Sequence, residues 1–187
     1  MKKTILTTFA TLVIAAGAFA QGTVNFNNSN ASLVTYGEGP NAGSSLPTGG
    51  AFSVALYWAP QGTTDVNSFV QIGASAGIAP IPGRYSGGVR TTGTGTAPSG
   101  TAEFLVRAWS AADGATWEEA SAVVGAWQGT SGIFTSATGG GGSPIADAPV
   151  ALSLTALPFT VSQVVPEPSV IMLGLAGAGL LWFRRKK

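Results

Sequence analysis

Eight carboxylates and a complete absence of histidine and cysteine set the chemical range of this 187-residue chain. Without imidazole or thiolate there is no Ser-His-Asp or Cys-His nucleophile system and no ordinary zinc site. Lysine occurs only at positions 2, 3, 186 and 187, so the long stretch between them holds no P-loop lysine and no Schiff-base amine. Carboxylate chemistry is what remains. Glu118 and Glu119 are adjacent; on a strand they would point to opposite faces, which suits an acid/base pair poorly. Glu103 with either of them could flank a glycosidic bond if folding brought the two within ~5–10 Å. Asp65-Val66-Asn67 and Asp113-Gly114 are too sparse in oxygen ligands for a calcium loop. Turn chemistry accounts for both. No catalytic residue, metal ligand or cofactor follows from these positions.

The aromatic residues offer a second kind of site. Tyr57, Trp58, Trp109, Trp117 and Trp127 would bind sugars by stacking if they formed an exposed array. Core packing competes for the same rings, because each buries ~150–250 Å² and a chain without disulfides needs such material. The two expectations separate on exposure. Leu46-Pro47-Thr48-Gly49-Gly50 is similar to a sortase signal but lacks one residue of it and no apolar span follows. A loop explains it. Asn27-Asn28-Ser29 and Asn30-Ala31-Ser32 fit the glycosylation sequon.

The elements that position these residues read as strands. Phe52, Val54, Leu56 and Trp58 alternate with smaller residues up to the stop at Pro60 and Gly62. That is the period of two expected for a half-buried strand. Thr101–Trp109 repeats the pattern, with Phe104, Val106 and Ala108 on one face and Glu103, Leu105, Arg107 and Trp109 on the other. Val150–Val161 carries a third, through Val150, Leu152, Leu154 and Ala156. Shorter candidates are Thr23–Phe26, Ser68–Ile72, Tyr85–Thr92, Trp117–Glu119 and Gly132–Thr135, with Trp117–Val124 readable as helix or strand. Turns at Ser86-Gly87-Gly88, Pro98-Ser99-Gly100, Asp113-Gly114 and Gly139–Gly142 separate them. The expected fold is all-β, an antiparallel β-sandwich of jelly-roll or Ig-like topology.

The two ends differ from this middle. Lys2 and Lys3 precede an apolar run, Ile5–Ala16, and Ala18-Phe19-Ala20 forms an A-x-A cleavage site before Gln21. Together they are the parts of a secretory signal peptide over residues 1–20. At the other end Val165-Pro166-Glu167-Pro168-Ser169 leads into the apolar Val170–Phe183 and then Arg184-Arg185-Lys186-Lys187. Fourteen residues give roughly 21 Å of helix, short for a hydrocarbon core of ~30 Å. Four cations directly after the run suit a cytoplasmic headgroup layer and not a protein core. Their long side chains, with Trp182, can lengthen the effective span. Pro166 and Pro168 keep Glu167 on an extended, accessible segment.

This C-terminal arrangement resembles the PEP-CTERM sorting signal of Gram-negative bacteria, which is handled by exosortase, a membrane-embedded protease/transpeptidase. The resemblance is specific over Val165–Lys187, with Pro166, Glu167 and Pro168 as the recognition element and Arg184, Arg185, Lys186 and Lys187 as the stop. It implies an anchored precursor with a cytoplasmic C-terminus, later delivered to the cell surface or extracellular matrix. Gly22–Asn28, Val54–Trp58, Phe104–Trp109 and Asp113–Ala120 add a looser likeness to exported proteins of this kind, which implies a β-rich domain and no reaction.

Three segments follow: the signal peptide 1–20, an exported domain 21–164, and the sorting signal 165–187 with its span at about 170–183. In the middle segment three arginines, Arg84, Arg90 and Arg107, stand against seven carboxylates, a net charge of −4. Nucleic acid is a poor partner for such a surface. The expected partners are signal peptidase and the export machinery, the membrane, an exosortase-type protease and, for a stacking array, a polysaccharide. The sequence supports a non-catalytic surface or matrix protein first, a carbohydrate-binding module second and a small carboxylate hydrolase third. N-terminal sequencing of protein recovered outside the cytoplasm should begin at Gln21; a mature chain retaining Lys2 and Lys3 would contradict the signal-peptide reading.

Overall fold

A computed structural model describes residues 21–142 and 145–165. The segments expected to be a signal peptide, residues 1–20, and a sorting signal, from Pro166 onward, lie outside the described residues. The described chain is all-β. Its strands are β1 (Thr23–Asn27), β2 (Val34–Tyr36), β3 (Phe52–Pro60), β4 (Val70–Gln71), β5 (Ala76–Gly77), β6 (Ser86–Thr91) and β7 (Thr101–Ser110), followed by β8 (Trp127–Thr130), β9 (Phe134–Ala137), β10 (Val150–Ala151) and β11 (Phe159–Gln163). One short helix, α1 (Trp117–Ser121), stands between β7 and β8.

The larger sheet has the order β2-β11-β8-β7-β3-β4, with β5 also on β3 and β9 also on β7; the smaller is β10-β1-β6. At the centre β3 and β7 pair antiparallel over nine positions, from Phe52 opposite Ser110 to Pro60 opposite Ala102. Their alternation sends Phe52, Val54, Leu56, Phe104, Val106 and Ala108 to one face, where they pack with Val24 and Phe26 of the smaller sheet. This is the face anticipated from the period of two. The opposite face is buried as well. Ala55, Tyr57, Ala59, Leu105 and Trp109 form a second apolar cluster, covered by Phe69 and by Ala120 of α1.

Several local expectations give way to tertiary packing. Both sheets are mixed: β10 runs parallel to β1, and β11 runs parallel to β2. Parallel neighbours need long crossovers, and here strands near residues 150–163 return to those near 23–36. Val150–Val161 is not one strand. It breaks after Ala151 into a 3-10 turn at Leu152–Leu154, where the Ser153 amide donates to Asn27 Oδ1 at 3.1 Å and Leu152 drops into the core. The helix or strand ambiguity at Trp117 resolves to helix because of its start. The Glu119 amide donates to Thr116 Oγ1, and the Glu119 carboxylate accepts from the Thr116 amide. This reciprocal cap satisfies two otherwise orphaned donors.

The strands β2, β5 and β8 carry too few residues to announce themselves by periodicity. In β8 close approach requires a glycine, since a Cβ on Gly129 would lie 2.1 Å from the Thr160 carbonyl oxygen of β11. Burial of both faces of β7 makes a direct expectation. Leu105→Ala, on the face that alternation alone leaves outward, should destabilise by about 2–5 kcal/mol. Val106→Asp should cost more than about 3 kcal/mol as an unpaired buried charge. Denaturant melts of both variants check this; a neutral Leu105→Ala would mean the second cluster does not form.

Candidate functional site

The densest grouping of polar and aromatic chemistry sits on the second face of β3 and β7, around Arg107. Its guanidinium lies 4.3 Å from the Tyr57 ring centroid and 5.4 Å from that of Trp117. It forms an ion pair of 3.3 Å with Glu118 and donates to the Val66 carbonyl at 3.1 Å. Tyr57 also donates to the same Glu118 oxygen, at 3.2 Å. The partners arrive from four elements: Tyr57 from β3, Arg107 from β7, Trp117 and Glu118 from α1, and Val66 from the 3-10 turn at Val66–Ser68. Arginine suits this position because its planar group can stack and donate in several directions together. The Arg107 side chain is only 12% exposed while Glu118 is 62% exposed, so solvent screens the pair and its contribution is small.

Burial raises the Tyr57 hydroxyl above the ordinary tyrosine range, with a further push from the Glu118 carboxylate and partial opposition from Arg107. The cluster therefore holds a neutral phenol, a spent cation and a solvated carboxylate. It fastens α1 and the turn at Val66 onto the sheet. It offers no nucleophile and no free acid/base pair.

Glu103, Glu119, Asp65 and Asp147 are occupied separately. Glu103 is nearly buried, accepting from the Gly62 amide at 3.1 Å and from Thr135 Oγ1 at 2.7 Å. It precedes Arg107 by four residues on the same face of β7, about 13 Å at strand rise. Glu103 and Glu118 are thus held by different partners in different neighbourhoods, and the flanking pair needed for glycoside hydrolysis is not assembled. Glu119 is engaged in the α1 cap. Asp65 caps its turn by accepting from Asn67 and Ser68, and those hydrogen bonds lower its pKa. Asp147 accepts from Ser99 Oγ at 2.8 Å. Among the described residues no three Asp or Glu side chains gather as a metal site.

The five rings considered for sugar stacking are not exposed. Trp109 is wholly buried, its indole donating to the Gly114 carbonyl at 3.0 Å. Tyr57 is buried beside it. Trp58 is half-buried and donates to Thr96 Oγ1; it lies against Gly93, where an added Cβ would approach its ring to 2.3 Å. Trp117 stacks on Arg107, and Trp127 meets Tyr36 edge-on at 5.1 Å. Tyr57, Trp109 and Trp117 belong to the second-face cluster and Trp58 and Trp127 pack against the first core, so the rings form no flat exposed platform.

Leu46 of the Leu-Pro-Thr-Gly-Gly stretch is buried and exchanges backbone hydrogen bonds with Val34 and Gly83, as a structural loop does. Gln21, the expected first residue of the mature chain, is half-buried beside β1. Ala18, Ala20, Pro166, Glu167, Pro168 and Arg184–Lys187 lie outside the described residues. Among the described residues no helix is long and apolar enough to cross a membrane.

Two residues matter more than their sequence context suggests. Arg107 looked like an outward strand residue, yet it organises the second face. Asn28, in a polar run that reads as surface, is fully buried. It donates to the Ser32 and Gly83 carbonyls at 2.7 and 3.0 Å and accepts from the Tyr85 amide at 2.9 Å. Nothing local distinguishes either from a solvated residue, because their partners come from distant segments. No protein-family model matches this chain, and no curated protein or solved structure is similar to it.

Two buried phenols, Tyr57 at this site and Tyr85 in the first core, give the domain a pH signature. Tyr57 is raised by burial and Glu118, and Tyr85 by burial. A raised folded-state pKa favours the protonated form, so the stability it confers is complete below the unfolded value near 10 and is lost as pH rises beyond it. Denaturant stability should fall above pH ~10, and the fall should be smaller in Tyr57→Phe and Tyr85→Phe. An unchanged alkaline limb in both variants would contradict the assignment.

Proposed function

We propose that this chain is an exported, non-catalytic surface or matrix protein, sorted through its C-terminal segment. Residues 21–164 form its delivered domain, an all-β sandwich. The observation that carries this reading is the ordered succession of Pro166-Glu167-Pro168, apolar Val170–Phe183 and basic Arg184–Lys187. It is supported by the engagement of the middle segment's carboxylates in caps, turns and surface pairs, and by the absence of histidine, cysteine and internal lysine. The packing of the five rings into the two cores, none of them exposed, favours this reading over a carbohydrate-binding platform.

The place where the signal joins the domain also fits a load-bearing anchor. The last strand, β11, is hydrogen-bonded on both sides, to β2 and to β8, two residues before Val165. Force or attachment applied at the tail therefore enters the interior of a sheet, where a frayed edge strand would peel.

In this account the apolar segment first holds the precursor in the membrane, with its basic end in the cytoplasm. An exosortase-type protease then acts at the proline-flanked acid. Glu167 presents a carboxylate to a basic pocket, and charge-assisted hydrogen bonding supplies the recognition. In a host carrying such a protease, Glu167→Gln should accumulate as an unprocessed membrane-bound form, and deletion of Val170–Lys187 should release soluble protein. Normal trimming of the Gln variant would defeat charge recognition at Glu167. A deletion product that still sediments with membranes would defeat the anchor.

A further inference from the structure

The end of the described chain lies beside an apolar turn that no other part of the described domain covers. The Val164 amide donates to the Ala126 carbonyl at 2.8 Å, and the Gly125 amide donates to the Val164 carbonyl at 2.9 Å. These bonds extend the contact beyond the β8–β11 pairing of Gln128 with Ser162 and Trp127 with Gln163; Gly125 and Ala126 both face Val164, so Val165 follows directly beside the turn. The Ala126 amide closes a turn onto the Val123 carbonyl, with Gly125 at φ +86°. A β-turn with a positive φ at its third residue requires glycine there and puts Val124 at its tip.

Turn tips favour Gly, Asn, Asp, Ser and Pro. This one carries valine. Val124 is 64% exposed, Val123 39% and Val165 72%, and Ala122–Trp127 contains no charged residue. Scattered exposed valines need no explanation. Three at the exit point of the chain, on a turn that could have been polar, do.

The proposal made here rests on the membrane-anchor reading given above and adds a surface to it. We propose that the Val123-Val124 turn and Val165 form a contact with the headgroup–acyl boundary of the bilayer while the apolar segment is in place. The length of chain between domain and anchor argues for lipid as the occupant. From Val165 to Val170 there are five residue steps, at most about 18 Å fully extended. The 14 residues Val170–Phe183 give a helix about 9 Å shorter than the hydrocarbon thickness. With its four cations held at the cytoplasmic headgroups, that deficit falls on the Val170 side, and part of the linker is drawn below the surface. A headgroup layer of roughly 5–8 Å takes up most of the remainder. Val165 is thereby brought to the lipid, and Val124 with it.

Three valines make a weak membrane ligand on their own. Tethering makes the contact intramolecular, with a high effective concentration. The middle segment carries net charge −4 and only three arginines, so electrostatic attraction to anionic lipid contributes nothing and the contact is apolar. Once the anchor is cut away, the effective concentration vanishes and the domain leaves the surface. The patch thus holds the precursor upright without retaining the product.

The chain has no cysteine, which permits a single label. The full-length protein carrying Val124→Cys is labelled with an environment-sensitive fluorophore and reconstituted in phosphatidylethanolamine/phosphatidylglycerol vesicles. Gln61→Cys serves as the reference, just past the end of β3, whose ladder with β7 is about 26 Å long. A nitroxide carried on lipid should quench the Val124 label several-fold more than the Gln61 label. Adding Val123→Asp, a surface change, should reduce that excess. Equal quenching at the two positions in vesicle-bound protein overturns the lipid contact while leaving the anchor intact. A Val124 label protected from aqueous iodide but not reached by the lipid nitroxide places a protein surface there, a second copy included, and also overturns it. Failure of the full-length chain to float with the vesicles defeats the anchor reading and this contact together.

Discussion

The antiparallel pairing of β3 with β7 is the constraint on which the rest of the structure depends. It is the longest ladder in the described chain, and every other strand of the larger sheet except β2, which pairs with β11, is joined to one of its two members or to a neighbour of one. Because both of its faces are buried, it serves two cores. One is shared with the smaller sheet through Val24 and Phe26; the other is roofed by α1 and the segment around Phe69. A chain with no cysteine cannot staple its loops by disulfides. Here the loops are fixed by packing and by side-chain bonds that start from β3 and β7, those of Tyr57, Trp58, Glu103, Arg107 and Trp109.

That arrangement also explains why the region holds so little chemistry. The side chains that could have formed a site are the ones that tie the second face together. Arg107 is spent on two rings, a carbonyl and Glu118; Glu103 is spent on Gly62 and Thr135. A reactive group needs an unsatisfied partner or a substrate-sized opening between groups of opposed character. Here the carboxylates Glu103 and Glu118 and the Arg107 terminal nitrogens are taken up by internal bonds.

Much of the fold was legible in the sequence where burial is one-sided and the run is long. Phe52–Trp58 and Thr101–Trp109 announced themselves by alternation, and the turn residues between strands marked their ends. What could not be read locally has a common physical origin, the dependence on partners far away in the chain. The second core was hidden because alternation marks one inward face, and only the docking of α1 makes the other one inward too. The parallel pairing of β10 with β1 and of β11 with β2 was hidden because it leaves no mark on composition, and the two-residue β10 has no period of its own. Val150–Ala156 imitated a strand, yet Asn27 and the core together turn it at Leu152. At the candidate site the aromatic types were legible, but their burial was not. Trp109 and Tyr57 stand on the face that became the second core, and Asn28 reads as surface until Gly83 and Tyr85 are brought against it.

The central claim is that the β3–β7 pair, buried on both faces, carries the stability of the domain, while α1 and the turn at Val66 are fastened to it. Native-state hydrogen exchange on the full-length protein, read peptide by peptide, tests this most directly. Amides of β3 and β7 should exchange last and together, through global unfolding only, with α1 and residues 62–68 opening earlier by local fluctuation. Exchange in β7 as fast as in the edge strand β6 would contradict the account.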